Sequence, residues 1–494
     1  MKRILNLLVI MLMTASTLIA QDKKSFTLED LLPGGNNYSQ LQPKNINGLS
    51  WWGDVCLEGD IAELRIFNPA NGKRSVLTTL KKVNDLLATK DLGKINHFYN
   101  ASMPYSEKWL MVNTHKNRVL IDLDKMEILW SQPVNAKAQN QNWNKNSRSL
   151  AFTIGNNLYV TTADGQETQV TNEPEGVLCG QSVHRNEFGI DGGIFWSPKG
   201  NLLAFYRMDQ SMVTDYPQVN TSTRIATLEP DKYPMAGMTS HKVTVGIFSL
   251  QTKQTIYLDF GDPTDRYFTN IAWAPDGKTL YLYEVNRDQN HTTLDAYDAA
   301  TGKKLRTLYE ERSEKYVEPM HPITFLPWDG SKFIYWSWKD GYMHLYLMDT
   351  EGKELGQLTS GKWVVKELVG FCPATKSAII ITKEAGDLQR NIYSLSLKTK
   401  KRILLDNGRG CHSAQLSADG RYLIDTWQEP DVPRACAVTD TKTGKQSLVR
   451  TAKDPWEGWY QPIFEQGTIL AADGKTTLYW RMVKPMDFDP SKKY

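Results

Sequence analysis

The chain has 494 residues, with 58 Lys and Arg against 55 Asp and Glu, a formal net charge of +3. That balance excludes a nucleic-acid binder driven by phosphate charge, and 40% apolar with only 23% charged residues excludes a disordered tail protein. Gly 34 and Pro 22 are ordinary usage, so the chain is neither collagenous nor of low complexity, and its length allows a large core.

The first element is a targeting segment. Lys2 and Arg3 precede an apolar run over residues 4–13, small residues close it at Ala20, and polar Gln21-Asp22-Lys23-Lys24 follow. This pattern predicts a signal peptide over residues 1–20 and an exported, periplasmic or secreted, mature chain. The apolar run is short for a bilayer span, which disfavours an uncleaved anchor, and no later stretch is long enough to cross. No Cys follows the small residues to carry a lipid. The five cysteines (Cys56, Cys179, Cys372, Cys411, Cys436) have long spacings and no CxxC, so no zinc site is expected. An oxidising compartment would permit a disulfide without selecting a pair.

Strand-like segments dominate the rest, and helical periodicity is scarce outside residues 26–32 and short connectors. One unit recurs: an apolar residue, Ser/Ala-Pro-x-Gly, then an alternating apolar strand. The clearest copies are Trp196-Ser197-Pro198-Lys199-Gly200 and Trp273-Ala274-Pro275-Asp276-Gly277, with weaker ones at Trp143, Phe325, Phe371 and Leu416. The Gly-bearing turn and period-two alternation predict a hairpin with a half-buried strand. A second hairpin turn follows each copy, at Gly72, Lys125, Gly165, Lys253, Gly302, Gly352, Lys400 and Gly444. These turns recur every 40–53 residues except for one gap of 88, the period of a four-stranded propeller blade. The sequence therefore predicts an all-β, eight-bladed β-propeller of four-stranded blades over residues 49–466, because one blade cannot bury both of its faces alone. The repeated tryptophans are expected to pack between blades. The long gap holds two insertions, one around residues 183–190 and one over 210–237, and long insertions in a regular repeat carry function or assembly contacts.

Motif chemistry is otherwise missing. There is no G-x-S-x-G, H-E-x-x-H, phosphate loop or G-x-G-x-x-G, and the eight histidines show no metal-ligand spacing. No cofactor and no metal are expected. At the C-terminus, Thr468 to Leu470, Ala472-Asp473-Gly474 and Leu478 to Pro485 predict one more hairpin, followed by a Pro-bounded polar turn, the way a new domain is entered.

Several stretches, taken in order, carry a specific resemblance. They are His184-Arg185-Asn186-Glu187-Phe188-Gly189-Ile190, Phe195-Trp196-Ser197-Pro198, Ala204-Phe205-Tyr206-Arg207-Met208-Asp209-Gln210-Ser211, Tyr233-Pro234-Met235-Ala236-Gly237, Tyr316-Val317-Glu318-Pro319 and the tail Phe488-Asp489-Pro490. With these the chain resembles the N-terminal propeller region of the prolyl oligopeptidase family of serine peptidases, in its dipeptidyl peptidase IV branch, and within it most the prolyl tripeptidyl peptidases. The resemblance implies a propeller capping an α/β-hydrolase domain that carries the Ser, Asp and His of the triad. Residues 467–494 are then the start of that domain, and residues 21–48 a segment packing on it. No catalytic residue is expected within the 494, and the chain alone is expected to be inactive.

The resemblance also implies one site residue. In these enzymes a glutamate before the WSP motif binds the substrate's free α-ammonium, and the matching position is Glu187. Such a carboxylate sets the distance to the scissile bond after proline. Three extended residues span about 10 Å, and a single Glu187 after Arg185-Asn186, where the dipeptidyl branch has two adjacent glutamates, favours tripeptide release. The branch's propeller arginine has no evident counterpart; the nearest stretch is Lys108-Trp109-Leu110-Met111. The 210–237 insertion matches an arm that implies homodimerisation. The competing reading is a free-standing exported propeller that binds peptides or proteins without hydrolysis.

Overall fold

The computed structural model describes residues 23–44, 48–69 and 71–494, so the signal-peptide reading over 1–20 lies outside the described residues. Two compact units emerge, one of residues 47–427 and 436–449, the other of the N-terminal segment with 428–435 and 450–494.

The larger unit is an eight-bladed β-propeller built of consecutive antiparallel meanders. Blade I is Leu49–Trp52, Val55–Gly59, Glu63–Phe67 and Arg74–Thr79. Blade II is Trp109–Asn113, Asn117–Asp122 and Glu127–Pro133; blade III is Gln139–Asn144, Ser149–Ile154, Asn157–Thr161 and Glu167–Gln169. Blade IV places both Val177–Cys179 and Ile194–Trp196 on Leu202–Asp209, followed by Lys242–Ser249 and Thr255–Tyr257. Blade V is Arg266–Trp273, Thr279–Asn286, His291–Asp298 and Lys304–Arg312; blade VI is Thr324–Leu326, Asp329–Ser337, His344–Asp349 and Glu354–Gln357. Blade VII is Val365–Cys372, Ser377–Thr382, Asn391–Ser396 and Arg402–Leu404; blade VIII is Cys411–Leu416, Tyr422–Glu429, Val432–Asp440 and Gln446–Thr451.

All six Pro-Gly-type copies fall on the first strand of a blade, and all eight second turns join a blade's last two strands. Local chemistry explains this regularity. Gly72, Gly302, Lys400 and Gly444 each donate their N–H to the carbonyl four residues earlier at 2.8 Å, with φ between 60° and 74°. A left-handed residue is required there, and glycine adopts it without steric penalty. In blade II the left-handed residue is Met126 (φ 52°) rather than Lys125, a shift of one position.

The strands depart from the expectation in two ways. Blade II has three strands, its first reduced to a single antiparallel bridge between Ser102 and Met111, and blade IV has five because its first strand is split. Half-burial also fails in the middle strands. Every residue of Ser377–Thr382 is buried, because a blade is covered on both faces by its neighbours, whereas the outer strand Lys304–Arg312 is mostly exposed. A helix absent from the sequence reading, Leu80–Ala88, follows blade I; Val83 and Leu87 face inward at i, i+4, and the Thr79 hydroxyl caps it.

The first strands sit side by side around the ring, as their tryptophans show. Trp196 Nε1 in blade IV donates to Asn142 O in blade III at 3.1 Å, and Trp273 Nε1 in blade V donates to Phe195 O in blade IV at 3.0 Å. Trp143 instead lies under the Arg118 guanidinium of blade II, 5.7 Å from the ring centre. The ring closes without a shared strand: Trp51 Nε1 donates to Gln415 O at 3.0 Å and Ala418 N–H to Gly53 O at 3.1 Å. Among the described residues no helix is long and apolar enough to cross a membrane.

In the smaller unit, Phe26 stacks on Trp459 (4.9 Å, 11°) and meets Trp456 edge-on at 5.3 Å. The expected last hairpin is present as Ile463–Leu470 paired with Thr477–Lys484.

Candidate functional site

The split of the first strand in blade IV is where the site begins. Val177–Cys179 pairs with residues 207–209 of Leu202–Asp209, and Ile194–Trp196 with residues 203–205. Between them the chain leaves the sheet and returns. Both ends of the excursion bond to one residue: Gly180 N–H donates to Tyr206 O at 2.9 Å, and Tyr206 N–H donates to Gly193 O at 3.1 Å. The loop therefore leaves the first-strand position of blade IV on a two-bond base. Gly193 is forced by the return, since a Cβ there would lie 2.0 Å from Gln181 O.

Inside this loop His184, Arg185, Asn186 and Phe188 all have left-handed backbone, with φ of 51°, 55°, 64° and 56°. Such conformations cost about 1–3 kcal/mol each in a non-glycine residue and persist only where surroundings dictate them. Glu187 alone is extended, with φ −67° and ψ 167°. It is exposed, between buried His184 and Phe188. Among the described residues no hydrogen bond or ion pair engages its carboxylate.

The polar side chains next to it, by contrast, are committed. Arg185 donates to Asp231 at 3.0 Å and lies 4.7 Å from the centre of the Tyr233 ring, while the Ser182 hydroxyl donates to Asn186. Asn270 Nδ2 donates to Phe188 O at 3.0 Å and also to Pro319 O. Asn270 itself is left-handed (φ 55°) and sits in a bulge between Thr269 and Ala272 on the first strand of blade V. His184 Nδ1 lies 2.7 Å from His241 Nε2, and His184 Nε2 accepts the Phe268 N–H at 3.1 Å.

Electrostatics agree with the packing. Burial holds His184 well below the usual imidazole range, and burial with the charges of Arg287 and Arg185 brings His241 down to about 4. Both rings are neutral at physiological pH. Burial pushes the Tyr267 phenol up; Arg287 opposes this shift, and the Glu187 carboxylate adds to it. Tyr267 also contacts His184 edge-on at 4.9 Å and Phe188 at 5.5 Å. The result is a rigid, solvent-facing acid beside an aromatic wall. Chemically it can receive a cation through a charge-assisted hydrogen bond.

The second insertion forms a two-stranded arm, Asp215–Tyr216 with Asp231–Lys232 and Val219–Asn220 with Thr227–Leu228. Its tip carries exposed apolar side chains, Ile225 at 83% exposure among them. In the Lys108–Met111 stretch, Lys108 pairs with Asp124 at 2.7 Å, and Leu110 and Met111 are buried. No cluster of three or more His, Cys, Asp or Glu side chains that could hold a metal occurs among the described residues. Sequence reading singled out Glu187 but missed His241, Tyr267, Asn270 and Arg287, which reach the loop only through the ring. His241 was visible merely as one of eight scattered histidines.

Comparison with known proteins follows the same outline. A family described as the dipeptidyl peptidase IV (DPP IV) N-terminal region matches residues 94–434. A probable dipeptidyl-aminopeptidase B of Phaeosphaeria nodorum is 27% identical over 400 residues, 73% of this chain and 43% of the relative. A dipeptidyl peptidase 4 of Arthroderma otae is 24% identical over 96% of this chain and 63% of its own length. The chain thus spans about half the length of the curated relatives it matches. A Bacteroides ovatus crystal structure, provisionally described as a dipeptidyl aminopeptidase IV, superposes with TM-score 0.90 at 44% identity, covering 95% of this chain and 69% of that one. Porphyromonas gingivalis dipeptidyl peptidase 4 shares the fold, with TM-score 0.76 at 22% identity, covering 96% of this chain and 69% of that one. A family match over two thirds of the sequence and a 44% identical structure of the same fold lead to one conclusion: the chain belongs to the dipeptidyl peptidase IV N-terminal region family.

Proposed function

We propose that this chain is the propeller portion of an exported serine exopeptidase, and that Glu187 receives the free α-ammonium of a peptide with proline before the cleaved bond. The Ser-Asp-His machinery is supplied by an α/β-hydrolase domain outside these 494 residues, entered through the Ile463–Leu470 and Thr477–Lys484 hairpin. One observation carries the reading: an exposed carboxylate without a partner, set between the anchored His184 and Phe188 in a stretch where Ser182, Arg185 and Asn186 are all engaged. A single glutamate after Arg185-Asn186 supports tripeptide over dipeptide release. Export rests on the segment over residues 1–20.

The test uses the enzyme joined to its hydrolase domain. Glu187→Gln is expected to lower kcat/KM for a free-amine, proline-ended tripeptide by about 10–100-fold, the worth of one charge-assisted hydrogen bond. An N-acetylated substrate should lose far less. Equal losses on the two would remove the assignment. The 494-residue chain alone should release no product; binding without turnover from any longer gene product would favour the non-catalytic propeller.

A second copy is the proposed partner of the 210–237 arm, whose exposed apolar tip supports an association surface. Deleting residues 217–228 is expected to convert a dimer to a monomer in sedimentation velocity. An unchanged sedimentation coefficient ratio would place the interface elsewhere.

A further inference from the structure

We infer that His184 and His241 form a proton-ordered imidazole pair that positions the Glu187 loop; this rests on the reading of Glu187 as the ammonium acceptor. The two residues are 57 apart in sequence and their ring nitrogens are 2.7 Å apart. The order of protons follows from the third partner. His184 Nε2 accepts the Phe268 backbone N–H, so it carries no proton. A neutral imidazole then bears its proton on Nδ1 and donates it to His241 Nε2. His241 in turn holds its own proton on Nδ1. No other neutral arrangement satisfies all three atoms.

The pair ties together three separate pieces of chain. His184 lies in the loop, His241 at the entry to Lys242–Ser249, and Phe268 on the first strand of blade V. His184 has φ 51°, so its two ring bonds sustain a backbone conformation that the residue avoids when free. Three residues on, Glu187 is followed at once by Phe188, whose carbonyl is fixed by Asn270. The carboxylate is thus suspended between two anchors before any peptide arrives, which removes the ordering loss from binding. The charged and titratable groups facing the pair are Arg185 and Glu187 on the loop and Tyr267 and Arg287 on blade V. Two nearby guanidinium groups discourage a third positive charge, so the neutral order is kept.

The experiment uses the full 494-residue chain with ¹⁵N-labelled histidine. At neutral pH, His184 and His241 should both show the Nδ1-protonated tautomer; an Nε2–H signal from either ring overturns the pair. In parallel, loop resonances are followed against a free-amine, proline-ended tripeptide and its N-acetylated form. His241→Leu leaves His184 Nδ1–H without an acceptor and is expected to reduce the preference for the free amine about tenfold or more. His241→Gln, whose Oε1 can accept that proton, should restore it. A preference unchanged in His241→Leu, or lost equally in His241→Gln with His184 still in its native tautomer, overturns the inference. Should His241→Leu not fold, the His241→Gln arm decides alone. A preference absent from the wild type, or surviving Glu187→Gln, removes the Glu187 reading instead, and the tautomer pattern still decides whether the pair exists.

Discussion

Replacing His412 by leucine is expected to destabilise the propeller by about 3–5 kcal/mol, the usual result of removing one partner from a buried ion pair. His412 lies on the first strand of blade VIII. Its Nδ1 donates to Asp425 at 2.8 and 3.0 Å, and its Nε2 donates to Arg409 O at 2.7 Å. With both nitrogens donating, the ring is an imidazolium. Asp406 stands 3.9 Å away, and the side chains of all three residues are 0% exposed. Burial works against the charge on His412, but the Asp425 hydrogen bond and the charges of Asp425 and Asp406 outweigh it and raise the pKa. Burial raises Asp425 too, a sign that this carboxylate depends on its cation. Leucine would leave both carboxylates in the core with no positive charge between them. Thermal unfolding should show a Tm lower by several degrees, whereas Asp425→Asn, which keeps an acceptor for Nδ1, should fall less. A shift within one degree for His412→Leu would deny the pair its structural role. The pH dependence has a definite sign. Because the folded value is raised, the contribution is complete below the unfolded value of about 6.5 and declines as pH rises through the folded one. The penalty of the leucine variant should therefore shrink in alkaline solution.

Acid should act on the other histidine cluster in the opposite sense. His241 titrates at about 4 when folded and at about 6.5 when unfolded. Its neutral form is the one the fold requires, so its contribution is complete above pH 6.5. As pH falls from 6.5 to 4 the unfolded chain takes up a proton that the folded chain refuses, and about 3 kcal/mol of stability is lost. His184, also held below its ordinary range by burial and by His241, adds loss in the same direction. His412 contributes nothing over this interval, being charged in both states. Once protonated, His241 would set one N–H against another across 2.7 Å, and the loop anchor opens. Denaturant midpoints at pH 7 and 4.5 should differ more for the wild type than for His241→Gln. The groups facing the ring, Arg185, Arg287, Tyr267 and Glu187, are common to both proteins. Equal pH dependence would show that the acid sensitivity resides elsewhere.

These two clusters divide the molecule by how far their partners lie along the chain. The eight blades were legible because their punctuation is local. A left-handed turn residue bonds four positions back, and a Pro-x-Gly turn spans one hairpin, so spacing alone reveals the ring. Leu80–Ala88 escaped notice because one amphipathic helix of nine residues is lost among strand signals. The alternation expected of half-buried strands vanished in Ser377–Thr382 because covering on both faces is a property of the stacked blades.

Glu187 could be singled out from the motif around it, but nothing in the linear order could join His184 to His241 or Asn270 to Phe188. Those contacts exist because the stacking of neighbouring blades brings the break in blade IV against the bulge in blade V. The amino-acid order by itself determined the number of blades, the turn positions and the place where the repeat is interrupted, since each depends on bonds between near neighbours. Only the tertiary structure decided that the interruption is a strained loop presenting the Glu187 carboxylate, because His184, Arg185 and Phe188 are held in left-handed backbone by partners that the chain supplies from 46 to 84 residues away.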